Sequence, residues 1–137
     1  LRRLDLAGRI AESIDAGTML PAIGQGIIGI ETRLDDARVH ELLAPLHDAE
    51  TAVRLAAERS LNATLAGGCQ APVAGHAVLE GGELRLRGLV GWPDGSDIVR
   101  GEISGQADDA EVLGRTLAED LLARGARPIL DALLADG

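Results

Sequence analysis

The chain has 137 residues, of which 46% are apolar and 26% charged, a balance typical of a globular domain that excludes a disordered one. Its 13 basic residues face 22 acidic ones, and a surface with a formal charge of −9 repels phosphate backbones. With one Trp, no Phe and no Tyr, the chain also lacks aromatic platforms for base stacking. We therefore expect no nucleic-acid partner.

The chain contains a single Cys, so no internal disulfide framework indicates secretion. No apolar run approaches the roughly 20 residues that span a bilayer, and no signal-peptide pattern opens the chain. The sequence begins at Leu1-Arg2-Arg3-Leu4 without an initiator Met, in a pattern typical of the middle of an element. We therefore expect part of a cytoplasmic protein with no membrane partner.

The first 20 residues predict only short helical pieces. Their apolar positions are Leu4, Leu6, Ile10 and Ile14. Gly8 weakens this pattern, and the turn-forming residues 15–17 close it.

Residues 21–47 predict a glycine-rich connection, a strand and a helix. Pro21 and two glycines punctuate the stretch up to Gly26, and the β-branched residues of Ile27–Thr32 favour a buried strand. Asp35 or Asp36 is the expected N-cap of a short helix that Pro45 ends.

One longer helix is predicted from Asp48 to Leu65. Asp48 is its expected N-cap, and Glu50 lies in the first turn, where the helix dipole favours an anion. Apolar residues recur at spacings of three and four along one face: Val53, Ala56, Ala57, Leu61 and Leu65. Gly67-Gly68 is expected to end the helix, because glycine adopts the left-handed conformation without steric penalty.

Three strands are predicted next, at Ala74–Glu80, Glu83–Gly91 and Ser96–Ser104. Gly81-Gly82 is a two-residue hairpin signal, and residues 92–95 (WPDG) form a turn signal. The middle strand alternates apolar and charged residues, which indicates a sheet with one covered face and one exposed face.

A last helix is predicted after Asp108 or Asp109, with a break at Gly125 and a further helical stretch from Pro128 to Leu134. From residue 48 onward the order of elements is α-β-β-β-α. This order predicts an α+β domain in which helices pack on a three-stranded antiparallel sheet. The preceding residues do not fit this unit, and we interpret them as remnants of neighbouring α/β domains.

Residues 24–29 (GQGIIG) match the letters of a dinucleotide-binding G-x-G-x-x-G motif. That site requires a strand before the glycines and a helix after them, whereas the residues that follow here predict a strand. We favour the alternative, a connection between two packed units in which glycine adopts unusual backbone angles.

Cys69 admits two interpretations. A lone Cys is commonly a small buried hydrophobic residue. However, Gly67-Gly68 before it and Gln70 after it leave space for a large group, in a loop between a long helix and a sheet. The chain has no Lys to activate the thiol, and carbonyls at a helix C-terminus disfavour a thiolate. A functional Cys69 would thus suit one lasting covalent attachment better than rapid turnover.

Other polar residues give weaker indications. His40, His47 and His76 lack metal-ligand spacing, so we predict surface or loop positions and no metal site. Arg2-Arg3 could bind a carboxylate, although paired arginines are more often simply solvated.

Several segments together form one specific pattern. They are Leu20–Gly26 (LPAIGQG), Glu31–Asp36 (ETRLDD), Ala57–Asn62 (AERSLN), Leu65–Pro72 (LAGGCQAP), Leu89–Ser96 (LVGWPDGS) and Leu117–Leu122 (LAEDLL). This pattern closely resembles the porphobilinogen deaminase family, also called hydroxymethylbilane synthase. The resemblance covers nearly the whole chain, but only about the C-terminal half of the family's length.

The resemblance implies a cytoplasmic transferase of the haem pathway. Such an enzyme condenses four porphobilinogen molecules into the linear tetrapyrrole hydroxymethylbilane and releases ammonia each time. Cys69 matches the cysteine that carries a dipyrromethane cofactor through a thioether bond. Arg3 matches a position that binds the acidic side chains of cofactor or substrate, and Gln25 and Gly26 would lie beside the substrate cleft at a domain junction.

The resemblance also implies a domain layout: residues 1–20 as the tail of a second domain, 21–47 as the connection that returns to the first, and 48–137 as the C-terminal, cofactor-attachment domain. The family's catalytic aspartate belongs to the N-terminal domain, so no catalytic residue is expected in this chain. We expect the chain alone to be inactive, mostly without cofactor and prone to dimerise through a free strand edge, and the full-length enzyme to be monomeric. The alternative is a stand-alone α+β ligand-binding or regulatory module, because a fold does not fix a function.

Overall fold

Three antiparallel strands form one sheet in the order β1–β2–β3, and helices pack on it, which confirms the predicted α+β class. The computed structural model describes residues 1–65 and 71–135, and side chains up to residue 132. Its helices and strands are α1 (Ala37–Leu43), α2 (Ala49–Thr64), β1 (Val73–Glu80), β2 (Glu83–Gly91), β3 (Ile98–Gln106), α3 (Ala110–Leu121) and α4 (Arg127–Ala135). In the described part of the chain, no helix is long and apolar enough to cross a membrane.

Helices α1 and α2 begin where capping residues were predicted. The Asp36 side chain accepts a hydrogen bond from the Val39 N–H at 3.2 Å, and that of Asp48 accepts one from the Thr51 N–H at 2.7 Å. Each bond satisfies an N–H that has no partner inside its helix. At the start of α3, Asp109 occupies the N-cap position, as predicted, but its side chain forms no capping bond.

The strands pair in a register that separates two faces. Leu84, Leu86 and Val90 of β2 are buried beneath the helices, whereas Arg85 and Arg87 point to the opposite, open face, as the alternation predicted. Strand β3 begins two residues later than predicted. The turn before it extends to Asp97, whose carbonyl accepts a hydrogen bond from the Trp92 N–H at 3.0 Å.

A row of glycines crosses the sheet on its helix-covered face. Gly75, Gly88 and Gly101 are direct neighbours in the register of the three strands. A Cβ at Gly88 would lie 2.9 Å from a methyl group of Leu61 in α2, and one at Gly101 would lie 2.8 Å from a methyl group of Leu117 in α3. The row therefore forms a groove in which leucines of both helices reach the backbone of the sheet.

Helices α2 and α3 also cross at a glycine. A Cβ at Gly114 of α3 would collide with the Ala57 carbonyl oxygen of α2 and lie 2.7 Å from the Ser60 Cβ. The Ser60 hydroxyl donates a hydrogen bond to the Glu111 carbonyl oxygen at 2.6 Å. The two helices thus approach backbone to backbone, and this close packing builds a dense core without Phe or Tyr.

After α3 the chain turns at Gly125, which has a φ of 113° and separates α3 from α4 as predicted. Ala126, Ile129 and Leu130 then join the same core. The core is therefore built from α2, the sheet and the helices that follow it.

The strand predicted at Ile27–Thr32 is wrong. The segment contains no strand, and Ile28 remains 88% exposed. A strand forms only where a neighbour pairs with its N–H and C=O groups, and no strand within residues 1–65 or 71–135 pairs with this segment. We expected dimerisation through the free edge of this strand, and the structure contains no strand in this segment that could provide such an edge. The predicted helical pieces of the first 20 residues reduce to two short 3₁₀ helices, Arg2–Leu4 and Ala7–Arg9.

Candidate functional site

Cys69, the central predicted residue, lies outside the described residues together with Gly67, Gly68 and Gln70. The described residues on either side of 66–70 have fixed contacts. Leu65 is buried in the core at the end of α2, and the Pro72 carbonyl oxygen accepts a hydrogen bond from the Gly91 N–H at 3.2 Å. The described residues on either side of 66–70 are therefore held by the core and by the sheet.

Residues Pro21–Gly26, which we call the junction turn, form a tight reversal of the chain. The Gln25 N–H donates to the Ala22 carbonyl at 3.0 Å, and the Ile27 N–H donates to the Gly24 carbonyl at 3.1 Å. Gly24 and Gly26 have φ values of 69° and 82°, a region that favours glycine. No helix follows at Ile27–Thr32, so the structure agrees with a connection and not with a dinucleotide-binding motif.

The junction turn is attached to β1 at two points. The Gly75 N–H on the outer edge of β1 donates to the Pro21 carbonyl at 3.1 Å. Ile23 packs against the core directly over Gly75, where a Cβ would lie 2.6 Å from the Ile23 Cδ1 atom. Gln25, at the tip, remains exposed. The turn is thus fixed at its base and presents Gln25 and Gly26 to solvent.

Glu58 of α2 provides a third attachment, and sequence analysis did not identify it. The residue is 4% exposed, and it is the one charged residue in the buried set of the described chain. Oε2 accepts a hydrogen bond from the Gly24 N–H at 2.8 Å, and Oε1 accepts one from the Ala77 N–H at 2.8 Å. The signal that could have revealed it is its position on the apolar face of α2, next to Ala57 and three residues before Leu61.

A cleft of about 1010 Å³ opens beside the junction turn. Residues from Gln25 to Thr32, the end of α1 and the first turns of α2 line it, together with Glu58 and His76. The Asp48 carboxylate also lines this cleft. Hydrogen bonds from the backbone N–H and the hydroxyl of Thr51 lower the pKa of Asp48, so this carboxylate stays ionised.

The three histidines all line this cleft. His40 and His47 are exposed, as predicted, and the His40 ring lies 3.0 Å from the Thr32 hydroxyl. His76 departs from the prediction of a surface or loop position, because it is half-buried in β1 with Nδ1 3.9 Å from Glu58 Oε1. Within residues 1–65 and 71–135, no group of His, Cys, Asp and Glu could hold a metal ion.

Arg3 lies apart from this cleft. It is exposed in the first 3₁₀ helix, and it forms no ion pair with any residue that the structure describes. The structure thus brings Gln25 and Gly26 together at one cleft and does not bring Arg3 to it.

A second cleft of about 860 Å³ lies on the open face of the sheet. Residues of the segment 12–20 cover it from one side, and Arg87 and Arg100 line it from the sheet. The Arg87 Nε atom is buried and has no hydrogen-bond partner among the described residues. In the register, Arg87 lies between His76 and Glu102.

Comparison with known families gives two matches. Residues 52–123 match the family described as "Porphobilinogen deaminase, C-terminal domain". Residues 1–41 match the family described as "Porphobilinogen deaminase, dipyromethane cofactor binding domain". The first match spans most of α2, the whole sheet and α3, and the second spans Arg3 and the junction turn.

Proposed function

Because the chain belongs to the porphobilinogen deaminase family, we propose that it is the part of a hydroxymethylbilane synthase to which the dipyrromethane cofactor is attached, through Cys69. Enzymes of this family are transferases of porphyrin biosynthesis that bind porphobilinogen and use a dipyrromethane cofactor. The observation that carries the proposal is that both matched regions, 1–41 and 52–123, belong to this one family. The alternative, a stand-alone ligand-binding module, has no observation in its favour.

The proposed role of Cys69 rests on its chemistry and its place in the chain. A soft thiol sulfur forms a stable thioether with an electrophilic methylene carbon, and such a bond can anchor a growing chain through every cycle. Two glycines precede Cys69, so little side-chain bulk obstructs a large group. The anchored ends of the loop at Leu65 and Pro72 would keep the attachment point in place. When bound, the cofactor supplies the pyrrole to which the first substrate molecule is joined.

The cofactor and the substrate carry acidic side chains, and the chain as a whole has a charge of −9, which repels them. Binding them therefore requires local cations or hydrogen-bond donors. We assign Arg3 to a carboxylate of the cofactor or substrate: its guanidinium is exposed and unpaired within the described chain, and it can bind a carboxylate through two parallel hydrogen bonds. Gln25 and Gly26 are assigned to the cleft beside the junction turn, where the Gln25 amide is exposed.

The domain layout is part of the same proposal. Residues 1–20 belong to the second domain, 21–47 connect back to the first, and 48–137 form the cofactor-attachment domain of a cytoplasmic enzyme. Loss of ammonia from porphobilinogen requires a carboxylate beside the developing cation. By resemblance to the family, that aspartate lies in the N-terminal domain. We therefore expect the 137-residue chain alone to release no ammonia from porphobilinogen above a buffer control.

The decisive experiment compares Cys69→Ser with wild type in the full-length enzyme purified from cells. Wild type should show the added mass of a dipyrromethane in intact-mass spectrometry and a colour reaction with acidic Ehrlich's reagent, and Cys69→Ser should lose both together with turnover. Ala63→Ser, at an exposed position on the last turn of α2, is the matched control and should retain all three. An unmodified wild-type enzyme that still produced hydroxymethylbilane would refute the assignment.

Arg3 is tested by comparison with its neighbour. Arg3→Leu should reduce turnover at least tenfold, because a lost charged hydrogen-bond pair is worth about 1.5–3 kcal/mol, and it should leave the thermal midpoint unchanged. Arg2→Leu, also exposed, is the control. A lower midpoint with normal turnover per folded molecule would instead assign Arg3 a structural role.

A further inference from the structure

Glu58 joins three parts of the molecule that are far apart in sequence. It belongs to α2, and its two oxygens bind the junction turn at Gly24 and strand β1 at Ala77, both at 2.8 Å. We propose that Glu58 is a positioning residue: it holds the junction turn, and with it Gln25, at a fixed place relative to the helix that leads into the Cys69 loop. The functional part of this inference rests on the proposed function above.

Glu58 and the junction turn bind two backbone donors on the same edge of the sheet. The Gly75 and Ala77 N–H groups lie on the outer edge of β1, which pairs only with β2 on its other side. Pro21 accepts from the first and Glu58 from the second. Because unpaired buried N–H groups are costly, the carboxylate and the junction turn together complete this edge of the sheet.

The geometry favours a positioning role for Glu58 over a role as a general acid or base. Both of its oxygens already accept hydrogen bonds from backbone N–H groups, and the side chain is almost fully buried. A group that exchanges protons with substrate must reach it directly or through one water. The contacts of Glu58 therefore favour an influence on the reaction through the groups that it holds in place.

A carboxylate is required at this position because both contacts need an acceptor. In Glu58→Gln, the amide offers one oxygen acceptor and one NH₂ donor. The NH₂ group would then face a backbone N–H, donor against donor, at either Gly24 or Ala77. This substitution keeps the length and shape of the side chain and removes only one of the two contacts.

Hydrogen exchange followed by NMR tests the attachment directly in the 137-residue chain. In wild type, after correction for intrinsic rates, the Gly24 N–H should exchange at least tenfold more slowly than the Gly29 N–H, which has no acceptor in the described chain. In Glu58→Gln, exchange at Gly24 or Ala77 should accelerate at least tenfold. Glu119→Gln, the same change at an exposed position on α3, should leave both rates unchanged.

The positioning role is tested in the full-length enzyme. Glu58→Gln should lower kcat at least tenfold, with KM within about twofold and the dipyrromethane mass retained, whereas Glu119→Gln should match wild type. A kcat within twofold of wild type, despite faster exchange at Gly24 or Ala77, would overturn the positioning role. Equal exchange at Gly24 and Gly29 in wild type would overturn the attachment itself, even if Glu58→Gln did not fold. Wild-type enzyme without dipyrromethane would refute the proposed function separately, because the exchange ratio does not depend on the cofactor.

Discussion

The first region of the molecule, residues 1–47, and the second region, residues 49–135, contain similar apolar side chains. Only the second region buries them in a core. Every residue of the buried core of the described chain lies between Ala57 and Leu130. Of the 12 large apolar side chains that are exposed among the described residues, ten lie in the first 46 residues. Content of leucine and isoleucine therefore does not decide which part of this chain forms a core.

The difference lies in the surfaces that each region offers to its apolar residues. In the second region, helices of 16 and 12 residues cross at Gly114 and cover one face of a sheet. In the first region, the longest helix has seven residues and no strand pairs with another in the described chain. Short isolated helices are marginal in water, so apolar residues on them have no complementary surface to contact. In this chain, a core forms where long helices pack against each other and against a sheet.

The largest effect is expected where the two long helices meet. Gly114→Val should destabilise the chain by more than about 4 kcal/mol, because its side chain would collide with the backbone of α2. Gly8→Val, in open space in the first region, should change stability by less than about 0.5 kcal/mol. Urea unfolding followed by circular dichroism measures both. Similar midpoints for the two variants would show that the crossing is not tightly packed.

The next effect compares two leucines. Leu61 is fully buried against the glycine row and Leu34 is 97% exposed. Leu61→Ala should lower the free energy of unfolding by about 2–5 kcal/mol, since it leaves a cavity, and Leu34→Ala should lower it by less than about 0.5 kcal/mol. The same urea unfolding experiment measures both free-energy changes. An equal loss at Leu34 would mean that the first region has a core of its own.

A smaller effect is expected at Ile23, the residue of the first region that does contact the core. Ile23→Ala should cost about 1–2 kcal/mol, less than a fully buried isoleucine, because the side chain is only partly buried over Gly75. Ile28→Ala, at an exposed position in the same segment, is the control. If both variants were neutral, the junction turn would not be attached through Ile23.

The smallest effect concerns the cap at the boundary between the regions. Asp48→Ala should lower the thermal midpoint by a few degrees at pH 7, because it removes the bond to the Thr51 N–H. The folded-state pKa of Asp48 is lowered, so its contribution is present above the ordinary carboxyl pKa and is lost as the pH falls through the folded value. The gap between variant and wild type should therefore close on acidification. Asp109→Ala, which removes no capping bond, should show a smaller gap throughout.

Local signals predicted most of the second region. Capping aspartates, glycine turns and the alternation in β2 depend on neighbours in sequence, and they gave α2 and β2 nearly to the residue. The strand at Ile27–Thr32 failed because pairing needs a partner that no local pattern supplies. Glu58 was missed for the same reason: its contact at Gly24 lies 34 residues away. For the site, the structure places Gln25 and Gly26 at a cleft, and the roles assigned to Arg3, Gln25, Gly26 and Cys69 all stay predictions.

The place of the single Trp has a practical consequence. Trp92 lies in the turn between β2 and β3, and its half-buried side chain packs against the core of the second region. The chain contains no other Trp and no Tyr, so this residue is its one strong intrinsic fluorophore. Its emission spectrum reports directly on the second region alone. A fluorescence melting curve of this protein would follow the sheet and its helices, and would contain no direct signal from the first 47 residues.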